Sequence, residues 1–270
     1  MIRRRLGPDW ALISQNDHAI LSGQLAERWG NAAFAPPVPQ REFILAAAMH
    51  DAGWPSHDDA PTLNQGHEPL DVFESTPELA ARVWRASADR AEAHGPFVGL
   101  MVSMHVLGLS GFLAKAQHTP RETFEINRFQ HREAERQESL RRQLNLPVDM
   151  PLTLGLAPPG TGDADDRVIF DFAILQAVDR MSLGICCTTA VFPKIDNVRQ
   201  QVGSHPISIN LRREGDERLY VSPWPFSVPA IELDVPFRRV GGGTFESDEA
   251  LRHVYSRASV EHLRVTITEG

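Results

Sequence analysis

The sequence is poor in cysteine, which limits the classes of protein it can belong to. Its 270 residues include two cysteines, Cys186 and Cys187, and these are adjacent. Neighbouring cysteines form at best a strained disulfide, so a disulfide framework is excluded. The pair is typical of small core residues in a reducing compartment, which predicts a cytoplasmic location. The first ten residues are basic but contain no apolar stretch, so we expect no secretory signal peptide.

Positive charge and long apolar runs are also scarce. The formal net charge is -8, which argues against a general nucleic-acid-binding role. Residues 97–113 approach the length of a membrane span, but they contain Ser103, His105 and three glycines and lack aromatic belts. We therefore expect a buried core helix there. The predicted partner is a small-molecule substrate, with neither nucleic acid nor a membrane, and the sequence leaves a homo-oligomer open.

Histidine, in contrast, is abundant. Hydrophobic residues make up 42% of the chain and charged residues 23%, as in an ordinary globular protein. This length is enough for one large domain, residues 1–270, with a core that needs no disulfides. Eleven histidines are many for an acidic chain of this size, and several lie in apolar surroundings. These histidines are the first candidates for a functional site.

Apolar residues recur at helical spacing through the first two-thirds of the chain. Thr76, Pro77 and Gly95 mark the start and end of one such segment. Residues 120–144 also have helical character, but they carry so many charges that we expect a loosely packed helix or a lid. Residues 54–74 and 157–165 are predicted loops. The remaining helices are predicted over residues 17–29, 41–52, 77–94, 97–115 and 167–187.

The pattern changes after about residue 195, where short alternating segments are separated by Gly, Pro and Asp turns. Residues 206–214, 218–226, 230–240 and 262–269 are predicted strands, and residues 1–6 and 11–15 suggest a further pair. The predicted fold class is therefore mainly α. A helical bundle over residues 16–195 would carry a small antiparallel β-sheet, built from residues 196–270 and the N-terminal strands.

The predicted helices place metal-capable side chains on apolar backgrounds. They are His18, the doublet His50-Asp51, His105 and Asp179. Asp179 shares its helical face with apolar residues, a position that a solvated aspartate would not occupy. Taken singly, each side chain also fits a structural role, such as a helix cap, a hydrogen-bonded core histidine or an ion pair. Their conjunction favours a shared site, because burying unpaired charges is costly.

The chemistry of this set favours a divalent transition metal, namely Fe, Mn, Ni or Zn. Cysteine takes no part, which weighs against a structural zinc site. The stretch "AAAMHDAGWPSHDDAP" places His50 and Asp51 at the end of a helix. Adjacent helical residues point about 100° apart, so both can reach one ion only near the helix end. The helix-breaking Gly53 makes that geometry feasible.

The order of these residues resembles the HD-domain superfamily of metal-dependent phosphohydrolases. The resemblance implies an HD-like helical bundle in which His18, His50, Asp51 and Asp179 coordinate a metal. His105 matches an extra histidine of two-metal members, but a second histidine pair is missing, so the number of metals stays open. The segments "QNDHA", "HDAGW", "SMHVLGL" and "AVDRMSLGICC" also resemble a bacterial family of uncharacterised proteins over most of the chain.

The expected activity is hydrolysis of a small phosphoester or nucleotide. A metal activates a bound water and polarises a phosphoryl oxygen. Asp51 would bind the metal and orient that water, and His105 or His57 would protonate the leaving group. Arg180, Arg41 and Lys115 are candidate cations for a phosphate. Two other functions remain open: a non-haem iron oxygenase, as in a few HD-like proteins, and a non-catalytic binding or regulatory module.

Overall fold

The computed structural model describes residues 1–148, 164–188 and 192–270. The helices in these ranges are α1 (Gln15–Arg28), α2 (Gln40–Met49), α3 (Pro55–Asp58), α4 (Pro77–Glu92), α5 (Pro96–Leu113), α6 (Pro120–Gln143), α7 (Ala164–Cys186) and α8 (Asp248–Arg257). The strands are β1 (Ile2–Leu6), β2 (Asp9–Ile13), β3 (Lys194–Val198), β4 (Ile207–Glu214), β5 (Arg218–Ser222), β6 (Ala230–Val240) and β7 (Val260–Glu269). A short 3-10 helix spans Val72–Glu74.

The sheet overturns the predicted fold class. Seven strands form one half-barrel in the order β1-β2-β6-β7-β5-β4-β3, and β5 pairs with β7 in parallel. Because 48% of the described residues are helical and 21% are in strands, the fold is mixed, and the prediction of a mainly α protein with a small antiparallel sheet was wrong. The alternation of apolar and polar residues indicates strands, but it does not indicate which strands pair. The pairing of β5 with β7 joins residues 48 positions apart, such as Arg218 and Thr266.

Local signals explain where the helices begin. Thr76 caps α4 by accepting a hydrogen bond from the backbone N–H of Leu79, and Pro77 follows it. Thr119 and Glu122 form a capping box at the start of α6. Helix α3 lies where we expected a loop, and α8 lies between two predicted strands of the β-rich region. Of the predicted loop 157–165, residues 157–163 lie outside the described residues and the last two begin α7.

Helix α6 is not the loosely packed helix that its charge suggested. Ile126, Phe129 and Leu140 are buried, and α6 packs against α5 and α4. The charged residues occupy the outer face, whereas a narrow stripe faces the core. The interpretation of α6 as a loosely packed lid is therefore wrong, because this stripe fixes the helix to its neighbours.

Helices and sheet share one hydrophobic core. Helix α7 lies at its centre and packs against α1, α2, α5 and β3. Its Phe172 and Ile174 belong to the same cluster as Leu233 of β6 and Ile267 of β7. Helix α8 contributes Leu251 to a second, smaller cluster with Met1, Trp10, Leu12 and Val240. The site described below lies in the helical layer, where α1, α2 and α7 meet.

Helix α5 is long and apolar enough to cross a membrane, and within the described ranges it is the single helix that is. However, 72% of that segment is buried inside the protein. The surrounding helices already cover it, as expected for the core helix of a soluble protein.

Candidate metal centre

Three helices bring four of the predicted ligands together. His18 lies on α1, His50 is the C-cap of α2 and is followed by Asp51, and Asp179 lies on α7. All four side chains are buried. Helix α1 is fixed at its start because the Gln15 backbone N–H donates to the Asp58 carboxylate over 2.6 Å. This bond ties the chain that follows the His50-Asp51 doublet to the helix that carries His18.

Imidazole nitrogens and carboxylate oxygens of these four residues approach one another closely. Nε2 of His18 lies 3.0 Å from Oδ1 of Asp179 and 3.2 Å from Nε2 of His50. Nε2 of His50 lies 3.5 Å from the same carboxylate oxygen. Oδ2 of Asp51 completes the group at 3.7 Å from His50 and 4.0 Å from His18. We call these four residues the metal cluster.

Backbone and hydroxyl contacts determine which imidazole nitrogen faces the cluster. Nδ1 of His50 lies 2.7 Å from the carbonyl of Ala47, which can only accept. Nδ1 of His18 lies 2.6 Å from Oγ of Ser182, and this hydroxyl already donates to the His18 carbonyl. Both Nδ1 atoms therefore carry protons in the neutral rings. Their Nε2 lone pairs point towards each other, an arrangement that requires a cation or a proton between them.

The electrostatics of the cluster lead to the same conclusion. Burial alone would lower the pKa of His50, but the Asp51 and Asp179 carboxylates outweigh it and raise that pKa to about 9. Burial also opposes ionisation of Asp179, yet hydrogen bonds with His18 and His50 hold its pKa well below the usual range. A proton on an imidazole and a divalent cation are thus alternative ways to offset the two carboxylates.

The spacing of the ligand atoms fits a metal ion. Metal bonds to nitrogen and carboxylate oxygen are about 2.0–2.2 Å long, so neighbouring ligands of one ion lie about 3.0–3.4 Å apart. The contacts among His18, His50 and Asp179 span 3.0–3.5 Å. Oδ1 of Asp51 is also buried and has no hydrogen-bond partner among the described residues. These observations match the donor set expected for one divalent transition metal.

Gly53 sets the position of the doublet. Its N–H donates to Oγ of Ser87 on α4 over 2.9 Å. A Cβ at this position would lie 1.9 Å from the carbonyl oxygen of Val83 and 2.6 Å from the backbone nitrogen of Ser87. The chain after α2 therefore approaches the backbone of α4 more closely than any side chain would permit. This approach places His50 and Asp51 at the cluster.

The two other predicted catalytic histidines have different positions. His105 is buried on α5, and its ring stacks edge-on against that of His50 with centroids 4.8 Å apart. Burial lowers the pKa of His105 to about 3, so the ring is neutral. His57 lies on α3 against Trp54 and lines a separate cavity with Arg82. The structure thus brings His105 to the cluster and leaves His57 outside it.

Two connected cavities reach the metal cluster. The inner cavity, about 130 Å³, is lined by His18, Asp51, Asp179, Gln15 and Trp54, among others. The outer cavity, about 320 Å³, shares His105 and Asp179 with it. Of the three candidate cations, Arg180 lines the outer cavity, Lys115 lies over the exposed Phe112 ring, and Arg41 is exposed on α2.

Sequence reasoning missed two contributors to this site. The Gln15 side chain is buried, lines the inner cavity and has an Nε2 without a hydrogen-bond partner among the described residues. Phe73 lines both cavities from a segment that we expected to be a polar loop. Position offered a signal for Gln15, because it lies three residues before His18 and therefore on the same helical face. We find no comparable signal for Phe73.

Comparison with known proteins identifies the family but no activity. No curated protein and no solved structure matches the chain. One family model matches residues 1–241, and its description is "Protein of unknown function (DUF3891)". The match covers β1 to β6, including every residue of the metal cluster. The chain therefore belongs to the DUF3891 family of proteins of unknown function.

Proposed function

We propose that this protein is a metal-dependent hydrolase of small phosphoesters, with one divalent transition metal held by His18, His50, Asp51 and Asp179. The observation that carries the proposal is the convergence of two imidazole lone pairs and the Asp179 carboxylate near metal-ligand spacing, with the Asp51 carboxylate 3.7 Å from His50. The order of these residues, which resembles the HD-domain superfamily, supports the same chemistry. The cluster opens into a cavity, as a catalytic site requires and a closed structural site does not.

The residues around the cluster have distinct roles in this proposal. A bound metal would supply an activated water and polarise a phosphoryl oxygen. Oδ1 of Asp51, which lacks a partner among the described residues, would accept a hydrogen bond from a water and orient it. His105 lies where both cavities meet and would contact the substrate. Arg180 would bind the phosphoryl anion. His57, lining a different cavity, has no part in the reaction.

Nothing in this chemistry requires an oxidising compartment. Cys186 and Cys187 are both free and buried, and burial raises the pKa values of their thiols, so neither is primed to react. We therefore propose a cytoplasmic location for the enzyme.

Elemental analysis of protein purified without added metal tests the proposal. We expect about one Mn, Fe, Ni or Zn per chain in the native protein and none in Asp51→Asn or His50→Gln. His67, exposed in the loop before the 3-10 helix, provides the matched control, and His67→Gln should retain full metal content. Circular dichroism of each variant would establish that it is folded.

The other outcomes discriminate among the alternatives. Two irons per chain with oxygen consumption would indicate the oxygenase instead of the hydrolase. A folded native protein that binds no divalent metal at micromolar concentration would overturn the metal centre and favour a non-catalytic binding module. Equal metal content in the native protein, Asp51→Asn and His50→Gln would place the ion elsewhere.

A further inference from the structure

The outer cavity has an apolar wall that the hydrolysis of a generic phosphoester would not need. Trp84, Leu109 and Leu183 line it together with Phe73 and Phe112 at its mouth. Phe73 is 58% exposed and Phe112 is 43% exposed, so large aromatic side chains face solvent beside the opening. Exposed aromatic residues around a cavity are typical of a binding site for an apolar group.

Among the described residues that line the outer cavity, one side chain carries a permanent positive charge. Arg180 lines the outer cavity, packs over the ring of Phe192 and forms no ion pair with any described residue. The carboxylates with the strongest electrostatic effect on it belong to Asp179, a member of the metal cluster, and to the exposed Asp196, which is paired with Lys194. A partly buried guanidinium without a carboxylate partner is suited to bind one anionic group of a ligand.

These features differ from those of a polyphosphate site. A nucleoside triphosphate needs several cations or a glycine-rich loop for its phosphates, whereas the described part of the cavity wall offers one arginine beside a few other polar side chains and a largely apolar surface. At about 320 Å³, the cavity is at the small end of the range for ligand sites. The shape and lining suit one anionic group at the inner end and one compact apolar group towards the mouth.

We propose that the substrate is a phosphomonoester of an apolar alkyl or aryl alcohol. The phosphoryl group would lie where His105 and Asp179 join the two cavities, with Arg180 beside it. The apolar group would lie between Trp84, Leu109 and the two phenylalanines of the mouth. This inference rests on the proposed function for the placement of the phosphoryl group, but the apolar half of the cavity does not depend on the metal.

Alkylphosphonates test this assignment by binding alone, because their C–P bond resists hydrolysis. We would titrate methyl-, butyl-, hexyl- and octylphosphonate into Mn²⁺-loaded and metal-free protein by calorimetry. Affinity should rise about threefold for each added methylene until the cavity is full. Inorganic phosphate should bind at least tenfold more weakly than hexylphosphonate. The chain length at which the series stops rising measures the depth of the cavity.

Two variants separate the charged half from the apolar half. Arg180→Gln should weaken hexylphosphonate binding at least tenfold but leave hexanol binding unchanged, because it removes the positive charge and leaves the apolar wall in place. Leu109→Phe should end the chain-length series one or two methylenes earlier, because it fills part of the cavity. Arg41→Gln, on the exposed face of α2, is the matched control and should change neither series.

Failure of this inference is distinguishable from failure of the proposed function. A Mn²⁺-loaded protein that binds all chain lengths equally, or binds AMP more tightly than hexylphosphonate, would overturn the apolar substrate and leave the hydrolase intact. A protein that binds no metal but still shows the chain-length series with hexanol and its homologues would overturn the hydrolase and support the apolar cavity. Unchanged hexylphosphonate affinity in Arg180→Gln would remove the arginine from the site.

Discussion

Two buried polar clusters in the same helical layer differ in what balances the charge of their carboxylates. On α6, Glu133 is 0% exposed, accepts a hydrogen bond from Ser103 over 2.8 Å and forms an ion pair with Arg136. Arg136 in turn pairs with Asp89 and Glu92 of α4. In the metal cluster, no lysine or arginine among the described residues pairs with Asp51 or Asp179. The first cluster has its cation built in, and the second one lacks it.

This difference supports the proposal that the α6 cluster is structural and the metal cluster is functional. An arginine supplied by the chain closes the α6 cluster and joins two helices. Imidazoles supply lone pairs instead of a permanent charge, so the metal cluster can take up either a proton or the divalent cation that we propose. The position of each cluster agrees with this assignment, since the metal cluster lines a cavity and the Glu133 cluster lies between packed helices.

The largest expected effect comes from removing the built-in cation. Arg136→Met leaves Glu133 buried without its partner and should lower the free energy of unfolding by about 3–5 kcal/mol. Urea denaturation measures this loss. Arg132→Met, an exposed neighbour on α6, is the control and should cost less than about 0.5 kcal/mol. Glu133→Leu combined with Arg136→Met should recover most of the loss, and a double variant as unstable as the single one would contradict the argument.

Asp171 lies between the two cases, because it is a buried carboxylate whose arginine partner is partly exposed. It is fully buried, and its partner Arg167 is 30% exposed. Burial raises the pKa of Asp171 to about 7 from its ordinary value of 3.8, although Arg167 opposes the shift. Between these values the folded protein binds a proton that the unfolded chain has lost. The free energy of unfolding should therefore fall by about 2–4 kcal/mol as the pH rises from 4 to 7 and level off above that.

Asp171→Asn should remove this pH dependence, which urea denaturation at a series of pH values would reveal. The exposed Asp59 offers a control, and Asp59→Asn should keep the native profile. If the free energy of unfolding fell equally in the native protein and in Asp171→Asn between pH 4 and 7, burial would not be what raises the pKa of Asp171.

Adding a metal should stabilise the metal cluster, which lacks a built-in cation. At a free metal concentration of 100 Kd, binding should stabilise the native protein by about 2.7 kcal/mol, or about 5–10 °C in Tm. Asp51→Asn should lose this stabilisation and, without metal, be at least as stable as the native protein, because it removes an unbalanced buried charge. Differential scanning fluorimetry with and without a chelator measures both effects. A large loss of metal-free stability would make Asp51 structural, like Glu133.

The smallest expected effect concerns orientation of a ligand. Ser182→Ala removes the acceptor for Nδ1 of His18 and should weaken metal binding about 10–100-fold. Ser22 is a close control, because its hydroxyl donates to the His18 carbonyl and does not touch the ring. Calorimetric titration of Mn²⁺ compares the two variants. Equal losses would mean that the carbonyl contact, and not the ring contact, is what matters.

Local pattern was sufficient to predict the long helices and to single out four side chains that converge in the structure. His18, His50, Asp51 and Asp179 lie on helical segments whose apolar spacing is visible in the sequence, and the structure brings them together. The parallel pairing of β5 and β7 could not be predicted, because strand pairing depends on contacts between distant segments. The error for His57 is similar. The pair His57-Asp58 looks like His50-Asp51 in the sequence, but α3 directs the His57 side chain to another cavity.

The sequence of α6 contains a pattern that indicates its buried cluster, but the high charge of the helix as a whole obscured it. Ile126, Phe129, Glu133, Gln137 and Leu140 are separated by three or four residues and form one buried stripe. A glutamate within an apolar stripe indicates a buried partner, whereas the overall charge of a helix describes its outer face. Counting charges over the whole segment averaged the two faces.

Gly53 has a consequence for how this family can vary in sequence. A ligand such as Asp51 tolerates exchange only for another ligand, but position 53 tolerates no side chain, because α4 occupies the space of its Cβ. The constraint acts on a residue that touches neither metal nor substrate. Among family members that keep the site, variation should be as restricted at this glycine as at the ligands. In a family member with a larger residue at this position, the residues that correspond to His50 and Asp51 should no longer lie at the cluster, even if they are conserved.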